Sequence, residues 1–100
     1  MDWTESKLKI KTRAEALNKR FSELFQTVQV GSRTFFLGPD GVSLFALDYL
    51  GPYGALVIEY AEDYDEARDN CLEDGDLFYL EEMDEDAMFQ AMLREIRDEN

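Results

Sequence analysis

The sequence predicts an α+β fold: an antiparallel sheet of three to five strands with about three helices packed mainly on one face. Strand-like segments separated by glycine-containing turns are bunched in the middle of the chain. Segments whose apolar residues recur every three or four positions lie before and after this block, as in amphipathic helices. The 100 residues contain no repeat or linker, so we expect a single domain over residues 1–100.

The first helix is predicted over residues 13–26. Thr12 and Glu15 have the spacing of a capping box, which marks a helix start. Residues 1–11 fit three interpretations: a basic arm, a short strand in which lysines alternate with apolar residues, or an extension of the helix through Ile10. The apolar stripe of this helix consists of Ala14, Leu17, Phe21, Leu24 and Phe25.

Four strands and a fifth candidate follow from the alternation of apolar residues and the turn chemistry between them. Gly31-Ser32 is a two-residue hairpin connection, because glycine supplies a positive φ. Glycine and proline then mark two further turns. The predicted strands are residues 28–30, 33–37, 42–49 and 55–60, and the candidate is 76–80.

Two more helices are expected towards the end of the chain. Asp63 is a capping residue, and the helix it starts is predicted to run to residue 74 and to end at Gly75. Cys71 would lie on the inner face of that helix as a small buried hydrophobe. Asp84 caps the last helix, whose buried side is Met88, Phe89, Met92, Leu93 and Ile96.

Charge is the strongest signal in the composition. The formal net charge is −13, and residues 34–100 hold nineteen acidic against three basic side chains. Nucleic acid and anionic lipid are therefore not expected to be direct partners. No apolar segment is long enough to span a membrane, and no export signal is recognisable. With a single cysteine, the chain is expected to be a soluble protein of the reducing cytoplasm.

The composition also argues against catalysis. Histidine is absent, which removes the commonest general base and the usual nitrogen ligand of metal ions. Carboxylates are abundant, but no spacing selects one pair of them and no phosphate-binding glycine loop accompanies them. We therefore expect no catalytic residue, no cofactor and no metal site. An enzyme that uses carboxylates with a divalent metal is the least favoured alternative.

One candidate binding surface is a row of carboxylates on the second predicted helix. Glu62, Glu66, Asp69 and Glu73 follow one another at steps of four, three and four. On a continuous helix they would form a line about 16 Å long. Such a line suits a basic protein surface, although a solvated face that only maintains solubility explains it as well.

A second candidate surface is the turn that contains Tyr49, Leu50 and Tyr53. Aromatic side chains on a turn are typical of binding hot spots, because they offer a large contact area at low entropic cost. The same side chains would equally suit packing over the edge of the sheet. Of the two surfaces, the row of carboxylates is the more suggestive, and the tyrosine turn is the second candidate.

Taken together, these features favour a small acidic non-enzymatic interaction domain that binds a basic protein as an inhibitor or mimic. The alternative is a structural domain without a ligand that self-associates, so monomer and homodimer both remain open. In size, acidity and lack of histidine the chain resembles the small acidic proteins of phages and mobile elements. That group includes DNA-mimicking anti-restriction and anti-CRISPR proteins, so the resemblance implies an inhibitor of a nucleic-acid-handling protein.

Overall fold

A computed structural model describes residues 3–99 of the chain and the side chains of residues 7–98. This part of the chain forms three helices and five strands, with four strands in succession between the first and second helices and one short 3₁₀ turn between the third and fourth strands. Their bounds are α1 Trp3–Leu24, β1 Thr27–Val30, β2 Arg33–Leu37, β3 Leu44–Leu50, the 3₁₀ turn Gly51–Tyr53, β4 Ala55–Ala61, α2 Tyr64–Arg68, β5 Glu73–Tyr79 and α3 Glu85–Glu99.

The five strands form one antiparallel meander in which every strand pairs with the next one in the chain. The β1–β2 hairpin closes through the predicted pair of residues, with Gly31 at a φ of 61° and Val30 opposite Arg33. Connections this short force neighbouring strands to run antiparallel. The predicted α+β class is confirmed, and β1 and β5 are the two edges of the sheet.

The main core lies between the sheet and the two long helices. Phe21 of α1 is fully buried and packs against the rings of Phe36, Phe45 and Phe89, with centroid distances of 6.2, 6.0 and 4.9 Å. The predicted buried face of α3 is confirmed in full. The residues of this core are Ala14, Leu17, Phe21, Phe36, Phe45, Leu56, Ile58, Leu80, Met88, Phe89, Met92, Leu93 and Ile96.

The opposite face of the sheet, called here the outer face, is only partly covered. The short helix α2 packs there through Ala67, over a smaller cluster of buried side chains. Side chains alternate between the two faces along a strand. This cluster lies towards the end of the outer face where β4 leads into α2. The other end of the outer face, formed by β3, β4 and β5, lies beyond α2. The smaller cluster consists of Val30, Phe35, Leu44, Ala46, Ala61 and Ala67.

Helix α1 begins much earlier than the predicted residue 13. It starts at Trp3, so the arm and short-strand interpretations of residues 1–11 are wrong for residues 3–11, and the helix extension is right. Residues 1 and 2 lie outside the described residues. The apolar stripe extends back to Ile10, because the Ile10 side chain packs beside Gly54. Its Cδ1 atom is 3.7 Å from where a β-carbon at Gly54 would lie. Tertiary packing thus overrides the capping signal at Thr12.

Helix α2 is much shorter than predicted, because it ends at Arg68 instead of continuing to residue 74. Asn70 adopts a left-handed φ of 59°. The Asn70 N–H donates to the Ala67 carbonyl and the Cys71 N–H to the Glu66 carbonyl, as in a Schellman motif. Gly75 lies inside β5 rather than at a helix end. The prediction that Cys71 is buried is also wrong, since its thiol is exposed.

Candidate protein-binding surface

The four carboxylates predicted to form one helical row lie in four different local structures. Glu62 follows β4, Glu66 lies in α2, Asp69 caps the end of α2, and Glu73 opens β5. A helix of five residues is only about 7.5 Å long. The predicted line of about 16 Å therefore does not exist, because Asn70 turns the chain away and a strand replaces the second half of the helix.

These carboxylates nevertheless gather at one end of the sheet. Glu73 lies opposite Tyr60 in the β4–β5 ladder, two residues from Glu62. Glu62 and Glu73 are exposed, Glu66 is half-buried, and Asp69 pairs with Arg68 at 3.3 Å. Residues 62–76, called here the acidic end, hold eight carboxylates against one basic side chain, a net charge of −7.

Strand β5 carries the acidic end onto an open edge of the sheet. The N–H of Leu80 donates to the Gly54 carbonyl at 2.9 Å. In an antiparallel ladder the residues that bond to the partner strand alternate with residues whose N–H and C=O groups point away from it. Leu77 therefore directs its N–H and C=O groups, and Tyr79 its N–H group, to the outside, while the Tyr79 carbonyl accepts the Glu82 N–H at 3.0 Å. Their side chains are also 44% and 40% exposed, so polar backbone and apolar side chains are presented together.

Carboxylates flank this apolar segment on both sides. Asp74 and Asp76 precede Leu77 along β5, and Glu81 and Glu82 follow in the turn after Tyr79. All four acidic side chains are exposed. Residues 73–82 are called here the β5 edge, and their sequence is acidic, apolar and acidic in turn.

A bulge fixes the shape of β5 between its acidic and apolar parts. The register shifts so that Gly75 and Asp76 together face Ile58 of β4. Glu95 of α3 accepts the freed Asp76 N–H at 2.8 Å and the Tyr60 hydroxyl at 2.5 Å. The Glu95 carboxylate therefore accepts a backbone N–H of β5 at the point where the pairing with β4 is interrupted.

The second candidate surface proves to be part of a cleft at the end of the sheet. Tyr49 and Tyr53 line a cleft of about 860 Å³ together with Tyr79 of β5. Leu50 lies on the outer face instead, because it alternates with Tyr49 along β3. Tyr53 is 69% exposed, whereas Tyr49 also packs against the main core. The other lining residues are Lys7, Ile10, Lys11, Gly51, Pro52, Gly54, Glu81 and Glu82.

Opposite charges line the two walls of this tyrosine cleft. Lys7 and Lys11 come from the first turns of α1, and Glu81 and Glu82 come from the turn after β5. Arg13 holds that turn in place, since its guanidinium donates to the carbonyls of Leu80 at 2.6 Å and Met83 at 3.0 Å. The cleft thus adjoins the β5 edge and shares Tyr79 and the two glutamates with it.

Sequence reasoning missed most of the β5 edge. Its apolar half was part of a predicted strand, but Asp74 was placed at the end of a helix. A signal was present in the order of the elements. The last strand of a meander is necessarily an edge, so an acidic sequence there faces a potential partner strand.

Other features of the described residues do not define a site. Among side chains 7–98, no three acidic or cysteine groups are arranged to hold one metal ion. Within residues 3–99, none of the helices combines the length and apolar character that crossing a membrane requires. Comparison of the chain with protein-family models, with curated proteins and with solved structures gives no match. The β5 edge and the tyrosine cleft are therefore the two surfaces from which a function can be proposed.

Proposed function

We propose that this chain is a non-enzymatic interaction domain whose β5 edge binds a basic segment of a partner protein, as an inhibitor or regulator of that partner. The observation that carries the proposal is the combination found on one edge strand. Leu77 and Tyr79 expose their side chains and outward-facing N–H groups, Leu77 also exposes its C=O group, and carboxylates stand on both sides of them. Apolar contacts favour binding, and complementary charge favours selection and rapid association.

The other edge of the sheet lacks these features. Strand β1 has four residues, contains no charged residue and ends in the buried side chain of Val30. Strand β5 has seven residues and three carboxylates, at Glu73, Asp74 and Asp76. The contrast supports β5 as the interacting edge.

Within the stripe of α1, only Leu24 at the end of the helix is exposed, at 54%, so most of the stripe is unavailable for self-association. Leu17 and Phe21 are fully buried in the main core, and Ala14 is 6% exposed. Two copies would also each bring a formal net charge of −13 to the contact. We therefore favour a monomer that binds a different, basic protein. Self-association through the exposed ring of Tyr53 is the second candidate.

The proposal includes a cytoplasmic location. Cys71 is exposed and forms no disulfide within the chain. An exposed thiol persists in a reducing compartment and is prone to oxidation or cross-linking outside it.

The test is affinity capture from a lysate of the source cells at low salt, followed by elution with increasing salt. The wild-type chain is compared with an edge variant that carries Glu73→Gln, Asp74→Asn and Asp76→Asn. Because all three side chains are exposed, the fold is expected to survive these changes. We expect the edge variant to lose a basic protein that the wild-type chain retains.

A matched control separates the edge from net charge. The control variant carries Glu15→Gln, Glu23→Gln and Asp98→Asn. It also loses three negative charges, but from exposed positions on α1 and α3. The control variant should retain the basic protein. Equal loss from both variants would show that only net charge matters, and equal retention by both would show that the partner binds elsewhere. Either result would contradict the proposal.

A further inference from the structure

We infer that the partner segment binds by strand addition: it extends along the β5 edge as a sixth strand, with an apolar centre and basic residues on both sides. The inference rests on the proposed function and adds the mode of binding. Edge strands with unpaired backbone groups accept an extended peptide in this way. Main-chain hydrogen bonds then supply affinity, and side chains supply specificity.

The backbone of β5 is suitable for pairing over a short length. The N–H groups of Leu77 and Tyr79 and the C=O group of Leu77 point outward, as the Leu80 to Gly54 bond requires, whereas the C=O group of Tyr79 already accepts the Glu82 N–H at 3.0 Å. At the bulge, the Asp76 N–H already donates to Glu95 and is not available. Pairing is therefore centred on residues 77–79, and the bound segment needs only about three residues in the extended conformation there.

The side chains define which segment fits. Apolar residues at its centre would contact Leu77 and Tyr79, which are 44% and 40% exposed. Beyond the centre, the segment meets Asp74 and Asp76 in one direction, and Glu81 and Glu82 in the other. Lysine or arginine on both sides of an apolar centre therefore matches the acidic–apolar–acidic order of the β5 edge.

The same charges disfavour a second copy of this chain as the added strand. Its β5 would bring Glu73, Asp74 and Asp76 to an edge that already holds these three carboxylates. Like charges on neighbouring strands are destabilising. Acidic residues beside an exposed apolar strand thus exclude self-pairing while admitting a basic partner.

The probe for this mode is a synthetic seven-residue peptide in which Val-Thr-Val is flanked by two lysines on each side, with both termini blocked. Two N-methylated versions carry the same number of methyl groups in opposite phase. One is methylated at the two valines, the other at the threonine and the lysine after the second valine. Only one phase removes the N–H groups that face β5, since these groups alternate along a strand.

Binding is measured by amide chemical shifts of isotope-labelled protein at low salt, together with amide hydrogen exchange. We expect one methylated peptide to bind about fivefold more weakly than the other, because the hydrogen bond to the Leu77 carbonyl is lost. The unmethylated peptide should slow exchange of the Leu77 and Tyr79 amides. Equal binding of the two methylated peptides, or no slowing of exchange, would overturn strand addition and leave the charge-based proposal standing.

Absence of any binding by the unmethylated peptide would also overturn strand addition. Failure of the proposed function is read separately, from the captured protein and the edge variant, because that experiment requires no assumption about backbone pairing. A version of the peptide with glutamate in place of every lysine is the charge control. It should not bind, and binding equal to that of the lysine peptide would contradict the predicted specificity.

Discussion

The carboxylate of Glu95 occupies the space beside Gly75 where any other residue would place a β-carbon. A β-carbon at Gly75 would lie 2.5 Å from Glu95 Oε2 and 3.0 Å from a ring carbon of Tyr60. From this position Glu95 accepts the Asp76 N–H, so the glycine, the bulge and the acidic side chain form one unit. This unit joins α3 to the strand that we propose as the binding edge.

Gly75→Ala should lower the free energy of unfolding by about 1–2 kcal/mol, as an overpacked site does. Urea unfolding measures the change. The control is the same substitution in a Glu95→Ala background, where the crowding carboxylate is gone and alanine's smaller unfolded-state entropy favours folding. The cost there should be smaller. An equal cost in both backgrounds would show that Glu95 is not what requires glycine.

Glu95→Ala alone should destabilise the protein by about 1–3 kcal/mol, because the Asp76 N–H loses its acceptor at the bulge. Hydrogen exchange of the Asp76 amide should become faster. Tyr60→Phe is the matched variant, since it removes the hydroxyl that shares the same carboxylate but leaves the Asp76 bond in place. If Glu95→Ala left the exchange of the Asp76 amide unchanged, the hydrogen bond from Asp76 to Glu95 would not be what holds the bulge.

Asp40 should make the stability of the fold depend on pH. Its Oδ1 accepts N–H groups from Val42 at 3.0 Å and Ser43 at 2.8 Å, and these bonds lower the pKa of the carboxyl group. A carboxyl group with a lowered folded pKa stabilises the fold above its unfolded pKa of about 3.9. That contribution is lost as pH falls through the folded pKa.

The matched variant is Asp40→Asn, which keeps an oxygen acceptor without the charge. Urea midpoints of the wild-type chain and the variant should differ at pH 7, with the wild-type chain more stable. The difference should shrink as the pH is lowered below about 4. A difference that stayed constant or widened on acidification would contradict the role given to the ionised Asp40 side chain.

Arg13→Ala should lower the free energy of unfolding by about 1–3 kcal/mol, because it removes two charge-assisted bonds to the carbonyls of Leu80 and Met83. Amide exchange in residues 80–83 should also become faster, since this turn is then held less firmly. Lys19→Ala on the same helix is the control, at an exposed position. Equal effects of the two substitutions would show that Arg13 acts through its helix rather than through the turn.

Local patterns predicted much of the fold because the interactions that decide it are close in sequence. The Gly31-Ser32 hairpin and the Asp84 cap of α3 are confirmed: the Ala87 N–H donates to the Asp84 carboxylate at 2.8 Å. Pairing of β1 with β2 follows from the short Gly31-Ser32 connection, and the buried face of α3 follows from its apolar period.

The region between β4 and α3 was mispredicted because its structure depends on distant contacts. The carboxylates of residues 62–73 follow a helical spacing, but Asn70 in the left-handed conformation ends α2. The strand that follows pairs with β4 and uses Glu95, nineteen residues beyond Asp76, to complete its hydrogen bonds. A helical period therefore indicated one face where the fold places a turn and an edge strand.

The candidate surfaces also combine features that depend on local sequence with features that depend on distant contacts. The sequence left open whether the tyrosine turn presents its aromatic side chains or packs them over the sheet, and the structure divides them: Tyr53 is 69% exposed and Tyr49 packs against the main core. The union of this turn with Tyr79 in one cleft depends on β5 lying beside β4, which no local pattern reveals. The acidic character of the proposed binding surface comes from the composition, and its placement on a strand edge comes only from the structure.

Titration of the isotope-labelled chain with a blocked lysine octamer at low salt shows where a basic ligand binds. We predict that the largest amide shift changes fall on the β5 edge, residues 73–82, and that they diminish as salt is added. The edge variant should weaken these changes more than the control variant with the same net charge. Shift changes spread evenly over all acidic residues, or largest on α1 and α3, would contradict the claim that this edge is the surface that binds basic partners.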